Sequence, residues 1–506
     1  MADTSITRFV IVGGGTAGWM TAALLARFLD ARYSITLVES DAIGTVGVGE
    51  ATIPMLRHVN RALGFDENHF IRATQGSFKL GIEFDGWREE GHRYIHAFGG
   101  MGRSISLLPF YQFWLRYAAE GGEKSLWDFS PSRKAAYANR FAPIEGAPGS
   151  APTNLAWAYH FDSGLYAQYL RQFAASHGVK RVEGTISNVR LDPESGHIAG
   201  IDLDNGTLVD GEMFVDCSGF RSLLLGEALG VEFEDWSHWL PCDRAIAVPC
   251  EATAPTVPYT RATAREAGWQ WRIPLQHRTG NGHVYSSAHI SDDEAEVILL
   301  DNLDGAPTSD PRLLRFTTGM RRQPWHKNCV AIGLAAGFME PLESTSIHLV
   351  QSAVDRFLKL LPGRRVAESE IAEYNRQTRF EWEAIRDFLI LHYHCNGRSE
   401  PFWQACAAMD IPERLTHRIT LFENSGRIVR ENDELFTETG WMQVFLGQGV
   451  MPRGYHPLAG GLTPEKLAEL MQLAERAADQ VVTKMPFHDE YLARYCAAPD
   501  KMEMPV

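Results

Sequence analysis

Three glycines spaced as Gly13-x-Gly15-x-x-Gly18 follow directly on an apolar run, Arg8–Val12. The first glycine of such a pattern allows a tight turn, the second lets backbone approach a pyrophosphate, and the third lets a helix pack closely on a strand. Thr16 and Ala17 complete the loop, and a helix starting there aims free N–H groups and a partial positive charge at phosphates. Glu39 lies 21 residues beyond Gly18, at the end of a second apolar run, where a carboxylate can accept ribose hydroxyls.

Other candidates are single residues. Lys79 stands in Phe78-Lys79-Leu80-Gly81-Ile82-Glu83-Phe84. If this is one strand, Lys79 shares the face opposite the apolar one with Gly81 and Glu83. A lysine there is ordinarily solvated, but its three donors could also hold and polarise an electrophile, and burial would favour the uncharged amine. Glu343 precedes a helix expected from about Ser346, with Thr345 as its N-cap. The backbone N–H groups of Thr345 and Ser346 are unpaired within such a helix and make an anion site. Acidic residues collect at helix starts in any case, yet the apolar Gly333–Glu340 turn points to a buried carboxylate able to move a proton. Trp269 and Trp271 alternate along a strand, which most often means core packing. His392-Tyr393-His394-Cys395 lacks the spacing of a metal site, so no metal is expected.

These residues need elements to position them. Arg8–Val12, the helical run Trp19–Leu29 and Ser34–Val38 form a β-α-β unit. Further strand-like runs lead into Asp216-Cys217-Ser218-Gly219 and Gly333, so one sheet is assembled from distant segments. A single fingerprint with so late a return of the chain favours FAD over NAD, with reducing equivalents arriving from elsewhere. After residue 346 the apolar spacing is helical, through Ile371–Tyr393 and Pro464–Met485, and the aromatic, Gly- and Pro-rich segment 100–155 looks like an excursion over a cleft. The expected fold class is α/β: an FAD-binding, Rossmann-like body with a β-sheet substructure, over 1–100 and 155–350. A mostly α-helical second lobe is expected over 101–154 and 351–506.

Composition narrows the function class. The chain has 506 residues and a formal charge of −15, which leaves no basic surplus for nucleic acid. Its seven cysteines include no CxxC pair, as expected for reduced thiols in a cytoplasm. No signal peptide or membrane-length apolar run is read. A cytoplasmic enzyme is expected, and a homodimer is among the states the sequence allows.

Five segments in order carry a resemblance: Gly13–Trp19, Val46–Pro54 (VGVGEATIP), Phe78-Lys79, Trp269–Pro274 (WxWxIP) and Glu340–Thr345 (EPLEST). Together they resemble the flavin-dependent tryptophan halogenase family. The resemblance implies that FADH2 from a separate flavin reductase, dioxygen and a halide give hypohalous acid, which reaches a distant aromatic site at Lys79. By residue matching, Lys79 and Glu343 are the catalytic pair, and His96 and Phe98 flank the indole. Flavin contacts fall on Ser40, Ile43, Glu50, Ala51, Ile186, Leu334 and Ile347 besides the loop. Halide binding at Thr345 and Ser346 is retained, although the family usually has glycine at the latter position. The choice of bromide or chloride stays open, with a lean to bromide. Indole, tryptophan and other electron-rich aromatics stay open as substrate. A flavin aromatic hydroxylase is the alternative activity.

Overall fold

A computed structural model describes residues 6–42, 49–146 and 153–499. The chain forms two compact units. The first comprises Met1–Thr74, Phe161–His238 and Arg315–Glu383; the second comprises Gln75–His160, Trp239–Leu314 and Ala384–Val506.

The first unit is built on a six-stranded sheet in the order Trp325–His326, Cys329–Ala331, Met213–Asp216, Arg8–Val12, Ser34–Glu39, Lys180–Glu183. All its pairings are parallel except the short edge strand Trp325–His326. Phe9 to Val12, Met213 to Val215 and Val330 are all buried. Parallel strands covered on both faces read as continuous apolar runs, which is why periodicity found them. Helices Thr16–Phe28, Ser163–Ser176 and Ser346–Lys359 pack together on this sheet's surroundings.

The second unit holds a seven-stranded sheet: Arg312–Arg315, Arg244–Glu251, Arg278–Tyr285, Gly268–Pro274, Thr260–Arg265, Gly81–Asp85, Arg93–Ala97. Its pairings are antiparallel from Arg244–Glu251 to Thr260–Arg265, and the step onto Gly81–Asp85 is parallel. Helices Phe110–Ala119, Pro131–Tyr137, Glu413–Ser425, Glu438–Gly447, Pro464–Val482 and His488–Tyr495 belong to the same unit.

The fold class is α/β, but the units divide elsewhere than the expected boundaries. Residues 75–100 and 239–314 join the helical segments of the second unit instead of the first unit, because strands 81–85 and 93–97 pair into the sheet of 244–285. Residues 351–383 go with the first unit, where Ser346–Lys359 packs on Thr16–Phe28.

Candidate active site

The glycine loop shows why each small residue is needed. Gly13 has φ +114°, and a Cβ there would lie 2.2 Å from the Cys217 carbonyl oxygen. A Cβ on Gly18 would lie 1.8 Å from the Gly13 oxygen, and one on Gly14 would lie 1.5 Å from Glu39 Oε2. Around Gly15 there is nothing within 4 Å of a Cβ. Gly15 is also the N-cap of Thr16–Phe28, with no side chain capping it and no acidic residue in the first turn. Open space facing uncapped helix N–H groups is what a pyrophosphate requires, so these residues fit FAD.

Thr16 Oγ1 donates to the Ser163 oxygen at 3.3 Å, tying the loop to the helix Ser163–Ser176. A Cβ on Gly333 would meet Ala17 at 2.9 Å, so Gly333, next to Leu334, also lies against this loop. Glu39 accepts from Trp19 Nε1 at 3.2 Å and from Arg181 Nε at 2.5 Å, with Arg171 3.5 Å away. The two arginines were invisible to sequence reasoning, being more than 130 residues from Glu39 in the chain. They pair with the carboxylate and fix it beside the loop. Ser40 lies alongside: its hydroxyl accepts from Thr185 Oγ1 at 3.4 Å, which brings in Ile186 at the start of Ile186–Leu191. Glu50 and Ala51 lie on the strand Gly49–Ala51. Ile43, like Val46–Val48 of the matched segment, lies outside the described residues.

The candidate anion site is also in the first unit. Pro341–Glu343 forms one 3-10 turn, Ser344 reverses the chain at φ +59°, and Ser346–Lys359 follows as helix. Glu343 is fully buried, as the apolar turn before it implied. Thr345 occupies the N-cap position, but its side chain caps nothing, contrary to expectation. Its backbone is already helical (φ −91°, ψ −8°), which turns the hydroxyl away from the first-turn N–H groups. Ile347 is buried at the second helical position. One turn on, Glu381 accepts from His348 (2.9 Å), Ser352 (2.8 Å) and Arg356 (2.8 Å), three residues on a single face of this helix. Burial pushes the Glu381 carboxyl up, but His348 and Arg356 outweigh it and hold it at about 2.

Lys79, His96 and Phe98 are in the second unit. The alternating run is not one strand. It breaks at Leu80, whose N–H donates to the Pro258 oxygen at 2.8 Å, leaving short Ser77–Lys79 and separate Gly81–Asp85. Lys79 is therefore not a solvated face residue: its exposure is 0%. Its Nζ stands over the Phe98 ring, 5.3 Å from the centroid. The Phe98 N–H donates to the Leu80 oxygen at 2.8 Å, which locks the two segments together. Gln443 clamps Ala97 by its backbone N–H and oxygen, both at 3.0 Å, and so fixes the residue between His96 and Phe98.

The His96 ring lies 5.7 Å from Phe388 and 6.2 Å from Phe436, and those two rings stack at 3.8 Å. A Cβ on Gly440 would come within 3.0 Å of His96 Nε2, so the small residue lets helix Glu438–Gly447 approach. Phe388, Phe436 and Gly440 add an aromatic, close-packed wall that the sequence did not reveal. Trp269 and Trp271 are both buried on one face of Gly268–Pro274, with centroids 6.2 Å apart. His392 donates from Nδ1 to the Phe388 oxygen of its own helix, 2.8 Å away.

The sequence profile of the tryptophan halogenase family matches residues 8–464. A tryptophan 6-halogenase of Streptomyces toxytricini is 34% identical, with 96% of this chain and 98% of that protein covered. Among solved structures, a flavin-dependent halogenase from Xanthomonas campestris is 48% identical with a TM-score of 0.95, covering 98% and 99% of the two chains. Another, from Brevundimonas sp. BAL3, is 43% identical with a TM-score of 0.93 over 97% and 100%. By profile, relatives and architecture alike, the chain belongs to the tryptophan halogenase family, a family of flavin-dependent enzymes.

Proposed function

We propose that this protein halogenates an electron-rich aromatic ring such as indole or tryptophan, using FADH2, dioxygen and bromide or chloride. The observation that carries this reading is Lys79, wholly enclosed with its Nζ over Phe98. Lysines are almost never fully buried unless they are paired, so this burial marks Lys79 out. Family membership supports reading Lys79 as the residue that captures an oxidised halogen.

Reduced FAD with dioxygen supplies the two-electron oxidation that turns halide into hypohalous acid. The chain's own residues do the rest. The Gly13–Gly18 loop and the helix N-terminus behind it take the pyrophosphate, and Glu39 takes the ribose. The N–H groups at Thr345 and Ser346 hold the halide beside a neutralised helix face. Lys79 donates hydrogen bonds to the oxygen of hypohalous acid and so sharpens the halogen as an electrophile. A ring carbon forms the carbon–halogen bond, hydroxide leaves, and the ring proton is lost to give water. Glu343, matched in sequence to the family's catalytic glutamate and fully buried, is the second residue assigned to proton handling. His96 and Phe98 hold the ring plane.

The chain offers one dinucleotide fingerprint, so reduced flavin comes from a separate reductase by diffusion. The test is an incubation of pure protein with a flavin reductase, NADH, FAD, oxygen, bromide and indole, read by mass spectrometry. Brominated product supports the reading; hydroxylated product, or none across a panel of indoles and phenols, refutes it.

A further inference from the structure

The strand that carries Lys79 has only three residues, Ser77–Lys79, and pairs with Ala158–Asp162. So short a ladder cannot by itself fix a side chain, and the structure shows what does. On one side, Ser77 Oγ donates to the Pro274 oxygen at 2.6 Å, the last residue of the Gly268–Pro274 strand. With its proton committed, that hydroxyl accepts from His160 Nδ1 at 3.0 Å, and His160 Nε2 accepts from Thr260 at 2.8 Å.

On the other side, the Phe78 N–H donates to His488 Nε2 at 3.2 Å. His488 Nδ1 in turn donates to the Thr256 oxygen at 2.6 Å. A backbone N–H can only donate and a carbonyl can only accept, so this ring is neutral with its proton on Nδ1. Phe78 is stacked on Phe141 at 3.9 Å and edged by Tyr491 at 5.5 Å, three residues beyond His488. Gln276 adds a second tie: its Nε2 donates to the Gly76 oxygen (2.7 Å) and the Cys496 oxygen (3.1 Å), while its Oε1 accepts from Ala498 N–H (2.8 Å).

We infer that His488, with the C-terminal segment it begins, is a positioning residue that sets where Lys79 presents its Nζ. The inference rests on the role given to Lys79 above. His488 lies beyond residue 464, where the family profile ends. A side chain 410 residues away from Phe78 is thus part of the machinery that captures the oxidant.

The test uses the full chain with His488→Leu, His488→Gln and Gln276→Leu, beside Lys79→Ala. Three rates are read together: reoxidation of FADH2, brominated indole formed per oxygen consumed, and hypobromous acid reaching monochlorodimedone in solution. His488→Leu is expected to reoxidise flavin like the parent protein, to lose at least tenfold in product per oxygen, and to pass the missing oxidant to the trap. Gln276→Leu should do the same to a smaller extent. His488→Gln should recover part of the yield, since an amide can both accept from Phe78 and donate to Thr256. Parental product yield in folded His488→Leu, with Lys79→Ala inactive, overturns the inference alone. A parallel loss of reoxidation and product in both His488→Leu and Gln276→Leu also overturns it, because the segment is then only structural. Bromination by Lys79→Ala overturns the role of Lys79 and the inference with it.

Discussion

Replacing Gly15 and Gly18 by alanine separates flavin binding from folding. Gly15 has φ −76° and ψ −175°, extended backbone that alanine adopts without strain, and a Cβ there meets nothing within 4 Å. Unfolded-chain entropy favours alanine by about 0.4–1 kcal/mol, and the poorer N-cap that alanine makes takes back a similar amount. The apo protein should therefore keep its stability. The new methyl group, however, stands in the space where pyrophosphate approaches the helix N–H groups. Losing one hydrogen bond to a charged phosphate costs about 1.5–3 kcal/mol, or roughly 10- to 150-fold in Kd.

Gly18→Ala behaves oppositely, because its Cβ would sit 1.8 Å from the Gly13 backbone oxygen and the loop must move. Overpacking of this kind costs about 1–3 kcal/mol in the apo protein itself. The assay is quenching of FAD fluorescence on titration, with thermal unfolding of the apo proteins by circular dichroism. Undiminished FAD affinity in Gly15→Ala, at unchanged apo stability, would refute the placement of the pyrophosphate.

Three further outcomes are expected. Ser346→Pro deletes one N–H while staying tolerable in a helix's first turn; it should weaken apparent bromide affinity by roughly 5- to 150-fold, from about 1–3 kcal/mol, and unchanged bromide dependence in a folded variant would move the halide elsewhere. Stability should fall as pH drops from 6.5 to 4, because burial holds His488 and His283 down to about 4 in the folded state. Across that window the unfolded chain binds the protons and the folded one does not, so stability is full above 6.5 and loses up to about 3 kcal/mol per histidine by pH 4. Glu381, held at about 2, gives way only below that window; melting curves at pH 5 and 7 check this, and His488→Gln should flatten the difference. Pure protein should not oxidise NADH or NADPH, and turnover should need an added flavin reductase; NADH-driven halogenation by the pure chain would contradict this.

The glycine loop and its β-α-β unit were legible because their signals are local. Three glycines, a helix start and Glu39 fall within one β-α-β unit, where short-range sterics dictate the residue types. What escaped were partners brought in by topology: Arg171 and Arg181 on Glu39, Glu381 on the Ser346–Lys359 helix, His488 and Gln276 on the Lys79 strand. Period-two alternation from Phe78 to Phe84 was read as one half-exposed strand. It is instead two, because Leu80 turns its N–H to Pro258, and both faces are covered. The unit boundaries escaped for the same reason, since Gly81–Asp85 pairs with Thr260–Arg265 far along the chain, Ile82 opposite Thr260. Thr345 had the right residue type for a cap but an already helical backbone.

Bromination of indole by Lys79→Ala, measured together with FADH2 reoxidation, tests the central claim most directly. Lys79 is buried, belongs to the second unit and makes no part of the Gly13–Gly18 loop. The account predicts that the variant folds, binds FAD and consumes FADH2 and oxygen as before, while brominated product is lost. Retained bromination, or loss of FAD affinity in step with activity, would contradict it.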